Sequence, residues 1–146
     1  MYRYFGFDAQ AFLKDSKQWD GELKAKNDEL ESITEIQGTS TEHISGGGIS
    51  NPTQRTAFER YEVNAEIERI EQYKMCFKYA WDCLCAEDKE ILTGFYYTKG
   101  FIHRFVDEWV TKHASNRQYC YNSKREAEKR FGAYCVKWME KNGYDV

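Results

Sequence analysis

The chain has 146 residues, of which 31% are charged, and a formal net charge of −3. Its length suits one domain with a modest core, and the net charge argues weakly against nucleic acid as a partner. No apolar run approaches the roughly 18 residues that span a bilayer. The N-terminus also lacks a signal-peptide pattern. We therefore expect a cytoplasmic protein with no membrane partner.

Pro52 is the single proline, and long stretches space their apolar residues three and four apart. An all-α fold is therefore predicted. The first predicted helix runs from about residue 8 to residue 36, with charged faces and one narrow apolar seam. The seam consists of Phe12, Trp19, Leu23, Leu30 and Ile33. Residues 37–50 are rich in Gly, Ser and Thr and predict a flexible loop, in which His43 is expected to be solvated.

A second long helix is predicted from Asn51, a candidate N-cap, to Leu84, with Pro52 at its first position. At about 33 residues it would be roughly 50 Å long. Such a length favours either an antiparallel hairpin with the first helix or a coiled-coil homodimer. In both arrangements the same apolar residues are expected to be buried: Trp19, Leu23, Ile67, Ile70 and Phe77.

The C-terminal part predicts three further helices. Ala86-Glu87-Asp88 places acids at the positive end of a helix, and Gly100 is predicted as its C′ glycine. A short helix spans residues 102–110, a polar break follows at residues 111–114, and Ser115 or Asn116 caps a last helix that continues to about Lys141. Two helices joined by a tight turn are typical of a helix-turn-helix. We therefore predict a hairpin stem at residues 1–85 and a helix-turn-helix domain at residues 86–146.

The last helix carries the candidate site. Residues 99–146 hold 10 Lys+Arg against 6 Asp+Glu, whereas residues 1–98 hold 11 against 18. Its inward face is predicted to be Tyr119, Ser123, Ala127 and Phe131, four residues apart. Amide and guanidinium groups suit purine edges, so the base-reading candidates are Asn116, Arg117, Gln118 and Asn122. The candidates for phosphate contact are Lys112, Tyr121, Lys124, Arg125, Lys129 and Arg130. The alternative is that these basic residues only form the solvated face of a helix and do not bind DNA.

The run from Ile91 to Phe131, ILTGFYYTKGFIHRFVDEWVTKHASNRQYCYNSKREAEKRF, resembles the C-terminal helix-turn-helix of small phage transcriptional regulators of the RinA and ArpU type. It resembles more distantly the −35-reading region of sigma factors. The turn departs from the pattern, with Thr-Lys-His where Gly and an apolar residue are usual. Trp109 and Tyr119 are also larger than the residues usual at their positions, which leaves two registers, one residue apart, for the last helix. The resemblance implies control of phage or prophage genes near a promoter, in a bacterial host, with contact to RNA polymerase.

Other functional classes stay open as alternatives. Small terminase subunits, which package phage DNA, also join a helix-turn-helix to helical oligomerisation segments, and a helical protein-interaction module would share the fold. The sequence offers no phosphate-cradling loop, because Gly46–Gly48 lack a following Lys-Ser/Thr, and no HExxH. We therefore expect no enzyme, and no cofactor or metal. The cysteines form no CxxC pair and are expected to be reduced thiols: Cys76, Cys83, Cys85, Cys120 and Cys135.

Overall fold

The computed structural model describes residues 7–41 and 50–144, with the side chains of residues 34–41 and 50–54 left out. Within these ranges every regular element is a helix and no strand occurs, which confirms the predicted all-α class. The helices are α1 (Ala9–Ser16), α2 (Trp19–Thr41), α3 (Ser50–Cys83), α4 (Ala86–Tyr96), α5 (Ile102–Lys112) and α6 (Arg117–Lys141).

The single helix predicted over residues 8–36 is wrong, because a turn at Lys17 and Gln18 separates α1 from α2. The hydroxyl of Ser16 donates to the carbonyl of Leu13 at 2.6 Å and lies 2.6 Å from the hydroxyl of Tyr97. A serine that bonds back to its own helix weakens the continuation of that helix. The partner Tyr97 is 81 residues away, so the local periodicity carried no signal for the break.

Contacts divide the chain into two compact units, residues 1–17 with 75–146 and residues 18–74. We call them the α6 unit and the α2–α3 unit. α3 contributes residues 50–74 to the α2–α3 unit and residues 75–83 to the α6 unit. This division differs from the predicted boundary at residue 85, because α1 and the end of α3 pack with the C-terminal helices.

The α2–α3 unit is a pair of helices that run in opposite directions. Lys26 pairs with Glu66 at 2.6 Å, and Lys74 donates to Asp20. Near the other end of the pair, Ile33 packs with Val63 and Ile67, flanked by Leu23 and Leu30. The pairing order is therefore antiparallel. Of the residues in this unit that the sequence predicts to be buried, Trp19, Ile67 and Ile70 are buried and Leu23 is half-buried.

The predicted loop over residues 37–50 is wrong at its start, because α2 continues to Thr41. Residues 42–49, with His43, lie outside the described residues. α3 already includes Ser50, so Pro52 lies inside its first turn rather than at its first position. The predicted cap at Asn51 concerns a side chain that is not described.

The α6 unit encloses its core. Phe12 and Leu13 of α1, Leu92 of α4 and Phe131 of α6 are fully buried. Phe77 of α3, half-buried, has its ring centroid 5.3 Å from that of Phe131, in an edge-on arrangement that aromatic rings favour. The core therefore brings α1 together with residues more than 60 positions later in the chain.

α4 ends at Tyr96 with Tyr97 as its C-cap. Gly100 is therefore not the C′ residue that the sequence predicts, although its φ of +129° still requires a residue without a side chain. Of the described helices, none is long and apolar enough to cross a membrane.

Candidate nucleic-acid interface

The connection from α5 to α6 is short, and its first residues donate hydrogen bonds back to α5. The amides of Ala114 and Ser115 donate to the carbonyls of Thr111 and Val110, which is the pattern of a Schellman motif with Ala114 at C′. Ala114 has φ +48°, the left-handed conformation that usually requires glycine. The Asn116 side chain then accepts from the amide of Tyr119 at 2.8 Å. Asn116 is thus confirmed as the N-cap of α6, and α5 reaches Lys112, two residues beyond its predicted end.

The predicted inward face of α6 is wrong in its first turn. Cys120, Ala127 and Phe131 are fully buried, whereas Tyr119 is 55% exposed and packs its ring on Trp109, with centroids 5.7 Å apart. The register therefore shifts by one residue at the start of the helix. Cys120, rather than Tyr119, occupies the inward position of this turn. Tyr119 instead joins the accessible surface, a position that the sequence interpretation missed.

Four candidate residues share one exposed stripe of α6. Gln118, Asn122, Arg125 and Lys129 follow one another at intervals of four, three and four and are all exposed. This spacing puts them on the same side of a helix. The stripe combines two base-reading candidates with two phosphate candidates, and it begins two residues after the N-cap.

Two other cationic candidates lie in ion pairs at the surface. Arg117 donates to Asp107 of α5 at 2.8 Å, and Lys112 donates to Glu90 of α4 at 3.0 Å. The hydrogen bond from Lys112 lowers the pKa of the Glu90 carboxyl despite its partial burial. The side chains of Arg117 and Asp107 are both mostly exposed, so this pair is weak and is screened by salt.

Lys124 and Arg130 form ion pairs with carboxylates that are more buried than those of Asp107 and Glu90. Lys124 lies 3.4 Å from Glu128 and 5.0 Å from the ring centroid of Phe95. Arg130 donates twice to Asp88, both bonds measuring 2.7 Å. The hydrogen bonds from Arg130 lower the pKa of the Asp88 carboxyl, although burial opposes them. These two cations therefore have buried carboxylate partners within the α6 unit.

Tyr121, the remaining phosphate candidate, places its ring 5.6 Å from that of Phe95. His113, in the predicted turn, stacks on Trp109 with centroids 4.3 Å apart, and its Nε2 lies 3.6 Å from Glu90. The Tyr121 ring thus packs against α4, whereas His113 packs on the adjoining α5 and lies near Glu90 of α4.

Glu128 joins three helices and was not identified from the sequence. Its carboxylate accepts from Gln10 of α1 at 2.9 Å and from the hydroxyl of Tyr96 of α4 at 2.7 Å, in addition to its pairing with Lys124. Burial and the contact with Glu128 raise the pKa of Tyr96. A buried carboxylate with this many partners is a structural group. A glutamate next to Ala127 on an otherwise charged helix gave no signal of it.

Two cavities border α6. An open groove of about 640 Å³ runs along the helix, with Arg125, Lys129 and Lys137 on its basic side and Phe7, Ala133 and Val136 among its apolar lining. A recess of about 340 Å³ lies between α4, α5 and α6 and contains Trp109, Tyr119 and Asn122. Of the exposed stripe, Arg125 and Lys129 therefore border the groove and Asn122 borders the recess.

All five cysteines are free thiols, with Cys76, Cys120 and Cys135 buried and Cys83 and Cys85 exposed. Burial raises the pKa of Cys120 and Cys135, which keeps these thiols protonated and unreactive. In residues 7–41 and 50–144, no group of three or more His, Cys, Asp or Glu side chains is arranged to hold a metal ion.

The aromatic residues in and next to α4 and α5 pack against neighbouring side chains, with one exception. Tyr96 and Trp109 are buried, and Phe105 lies edge-on to Phe95 with centroids 5.4 Å apart. Phe101 is the exception, since it is 83% exposed.

Searches against protein-family models, curated proteins and solved structures return no match to this chain.

Proposed function

We propose that the protein is a sequence-specific DNA-binding transcriptional regulator of phage or prophage genes, acting near a promoter. The observation that carries the proposal is the exposed stripe of Gln118, Asn122, Arg125 and Lys129 on α6, directly after a capped turn. Its amide groups suit purine edges and its cations suit phosphates. The phage setting, the bacterial cytoplasm and RNA polymerase as a partner rest on the resemblance of residues 91–131 alone.

Exposure supports one division of roles within the proposed site. Gln118 and Asn122 are the base readers, and Arg125 and Lys129 contact phosphates. Asn116 uses its side-chain oxygen as the cap, which leaves its NH₂ group to donate. Arg117 joins the site by exchanging Asp107 for DNA, at small cost because an exposed ion pair contributes only about 0–1 kcal/mol.

The test begins with selection of a preferred site from random duplexes, followed by fluorescence-anisotropy titration. Asn122→Ala and Gln118→Ala should each weaken binding to the selected site by about 1–3 kcal/mol and hardly affect random DNA. Lys129→Ala should instead weaken both DNAs equally and reduce the salt slope by about one. Asn27→Ala, which removes an exposed amide from α2, is the matched control. Enrichment of no site, with all variants binding like wild type, contradicts the proposal.

A helical protein-interaction module is the second candidate, and the ion pairs favour it. Lys112, Arg117, Lys124 and Arg130 all have carboxylate partners within the chain, so much of the positive charge that the sequence displays is neutralised. Weak DNA binding that does not respond to salt would support this candidate. A steep salt dependence would support the regulator.

A further inference from the structure

A second alignment of cations continues along α6 past the candidate site. Arg125, Lys129, Lys137 and Lys141 occupy positions four residues apart, with Ala133 completing the series, and all five residues are exposed. Residues at this spacing form a ridge inclined by about 26° to the helix axis. Successive members rise by about 6 Å, so the basic ridge is about 24 Å long.

The cations of this basic ridge have no buried carboxylate partner among the described residues. Among the described residues, Arg125, Lys137 and Lys141 have no carboxylate within ion-pair distance. Lys129 has only a 3.5 Å contact with Glu126, and both of those side chains are mostly exposed. Glu126 and Glu140 are the exposed acids of α6 near it. By contrast, Lys124 and Arg130 face the buried carboxylates of Glu128 and Asp88.

We infer that the basic ridge follows the phosphate backbone of duplex DNA, so that Lys137 and Lys141 are additional phosphate contacts. The inference rests on the proposed function and extends it, because Arg125 and Lys129 belong both to the base-reading stripe and to the ridge. Proteins that hold single strands place aromatic side chains along the basic groove to stack on bases. None of the five positions of the ridge is aromatic, which favours a duplex backbone.

The experiment compares full-length wild type with Lys137→Gln/Lys141→Gln on the same selected duplex, from 50 to 200 mM salt. Loss of two phosphate contacts should lower the slope of log affinity against log salt by about two, so the variant loses about tenfold less affinity over this range. Discrimination between the selected site and random DNA should not change. Lys14→Gln/Lys78→Gln, which removes two exposed lysines from α1 and α3, should keep the wild-type slope.

The outcomes separate the two proposals. A wild-type slope in Lys137→Gln/Lys141→Gln, with wild type binding its site, overturns the basic ridge and leaves the regulator standing. Equal slope changes in the ridge variant and the control variant also overturn it, since net charge alone would then act. Wild type that binds no duplex overturns both. Lys137→Arg/Lys141→Arg should restore the slope, and its failure to do so would show that the lysines act through folding instead of charge.

Discussion

The two units bury their apolar residues to different depths. In the α6 unit, Phe12, Leu92 and Phe131 are fully buried, whereas the most buried side chain among the described residues of the α2–α3 unit, Trp19, keeps 4% of its surface exposed. Two helices share one seam of contact, so solvent reaches both of its edges, while helices arranged around a common centre exclude solvent. The α6 unit therefore has the more closed core, with more helices arranged around it.

Ion pairs differ between the units in the same way. Lys26 and Glu66 pair in the α2–α3 unit with both side chains partly exposed, and Glu66 raises the pKa of Lys26 through a hydrogen bond. In the α6 unit the Asp88 side chain is only 6% exposed where it meets Arg130. Because solvent screens exposed pairs, we expect the enclosed pair to matter more for stability.

The largest effect is expected from Phe131→Ala. Removal of this fully buried ring should destabilise the protein by about 3–5 kcal/mol through lost burial and the cavity that remains, measured by urea denaturation. Phe58→Ala, at a site that is 62% exposed, should cost less than about 0.5 kcal/mol. Similar losses for the two variants would mean that the α6 unit has no closed core.

Ile67→Ala tests the open seam of the α2–α3 unit. The side chain is buried against Ile33 and Val63 but stays partly accessible. Its loss should therefore lie near the low end of the range for such substitutions, about 2 kcal/mol. Hydrogen exchange of the α2 and α3 amides shows whether the loss of stability is confined to the α2–α3 unit. A loss as large as that of Phe131→Ala would refute the difference between the units.

Asp88→Asn should cost about 1.5 kcal/mol at pH 7, a modest value because the Arg130 side chain is half-exposed. The lowered pKa of folded Asp88 means that its contribution is complete above its unfolded pKa of about 3.9 and is lost as pH falls through the folded pKa. Wild type and Asp88→Asn should therefore converge in stability below about pH 4, measured by urea midpoints over pH 2–7.

The matched substitution in the α2–α3 unit is Glu66→Gln, which removes the partner of Lys26. It should shift the urea midpoint less than Asp88→Asn does at pH 7, because water replaces the lost contact. An equal or larger shift would show that enclosure does not decide the strength of these pairs.

The smallest effect is expected at the C-terminal ends of α5 and α6. Both ends form a Schellman motif, with alanine at the C′ position of one and glycine at that of the other. Gly143 takes a φ of +75° after α6, where Ala114 takes +48° after α5. Ala114→Gly should relieve backbone strain and stabilise the protein by about 0.5–1 kcal/mol after the entropic cost of glycine. Gly143→Ala should destabilise it by a similar amount. Thermal melts measure the change in stability of each variant. Destabilisation by Ala114→Gly would contradict the strain argument.

The candidate site was predictable where its signals are local. Asn116 was among the expected caps because a polar side chain before a periodic segment bonds to amides within the next turn. Tyr119 was assigned to the inward face, which Cys120 occupies instead, since neighbouring positions of a first turn differ only in what other helices place against them. Lys137 and Lys141 were not among the predicted phosphate contacts. The charge count from the sequence did not distinguish cations that have carboxylate partners from those that have none.

The sequence by itself determined that the chain is helical, where the break between α5 and α6 falls, and that positive charge concentrates toward the C-terminus. These properties depend on residues within one or two helical turns of each other. Only the tertiary structure decided that α1 ends at Ser16, that Glu128 is buried, and that Arg130 is paired with Asp88. Each of those outcomes depends on a partner more than 30 residues away, and such a contact leaves no periodic trace in the sequence.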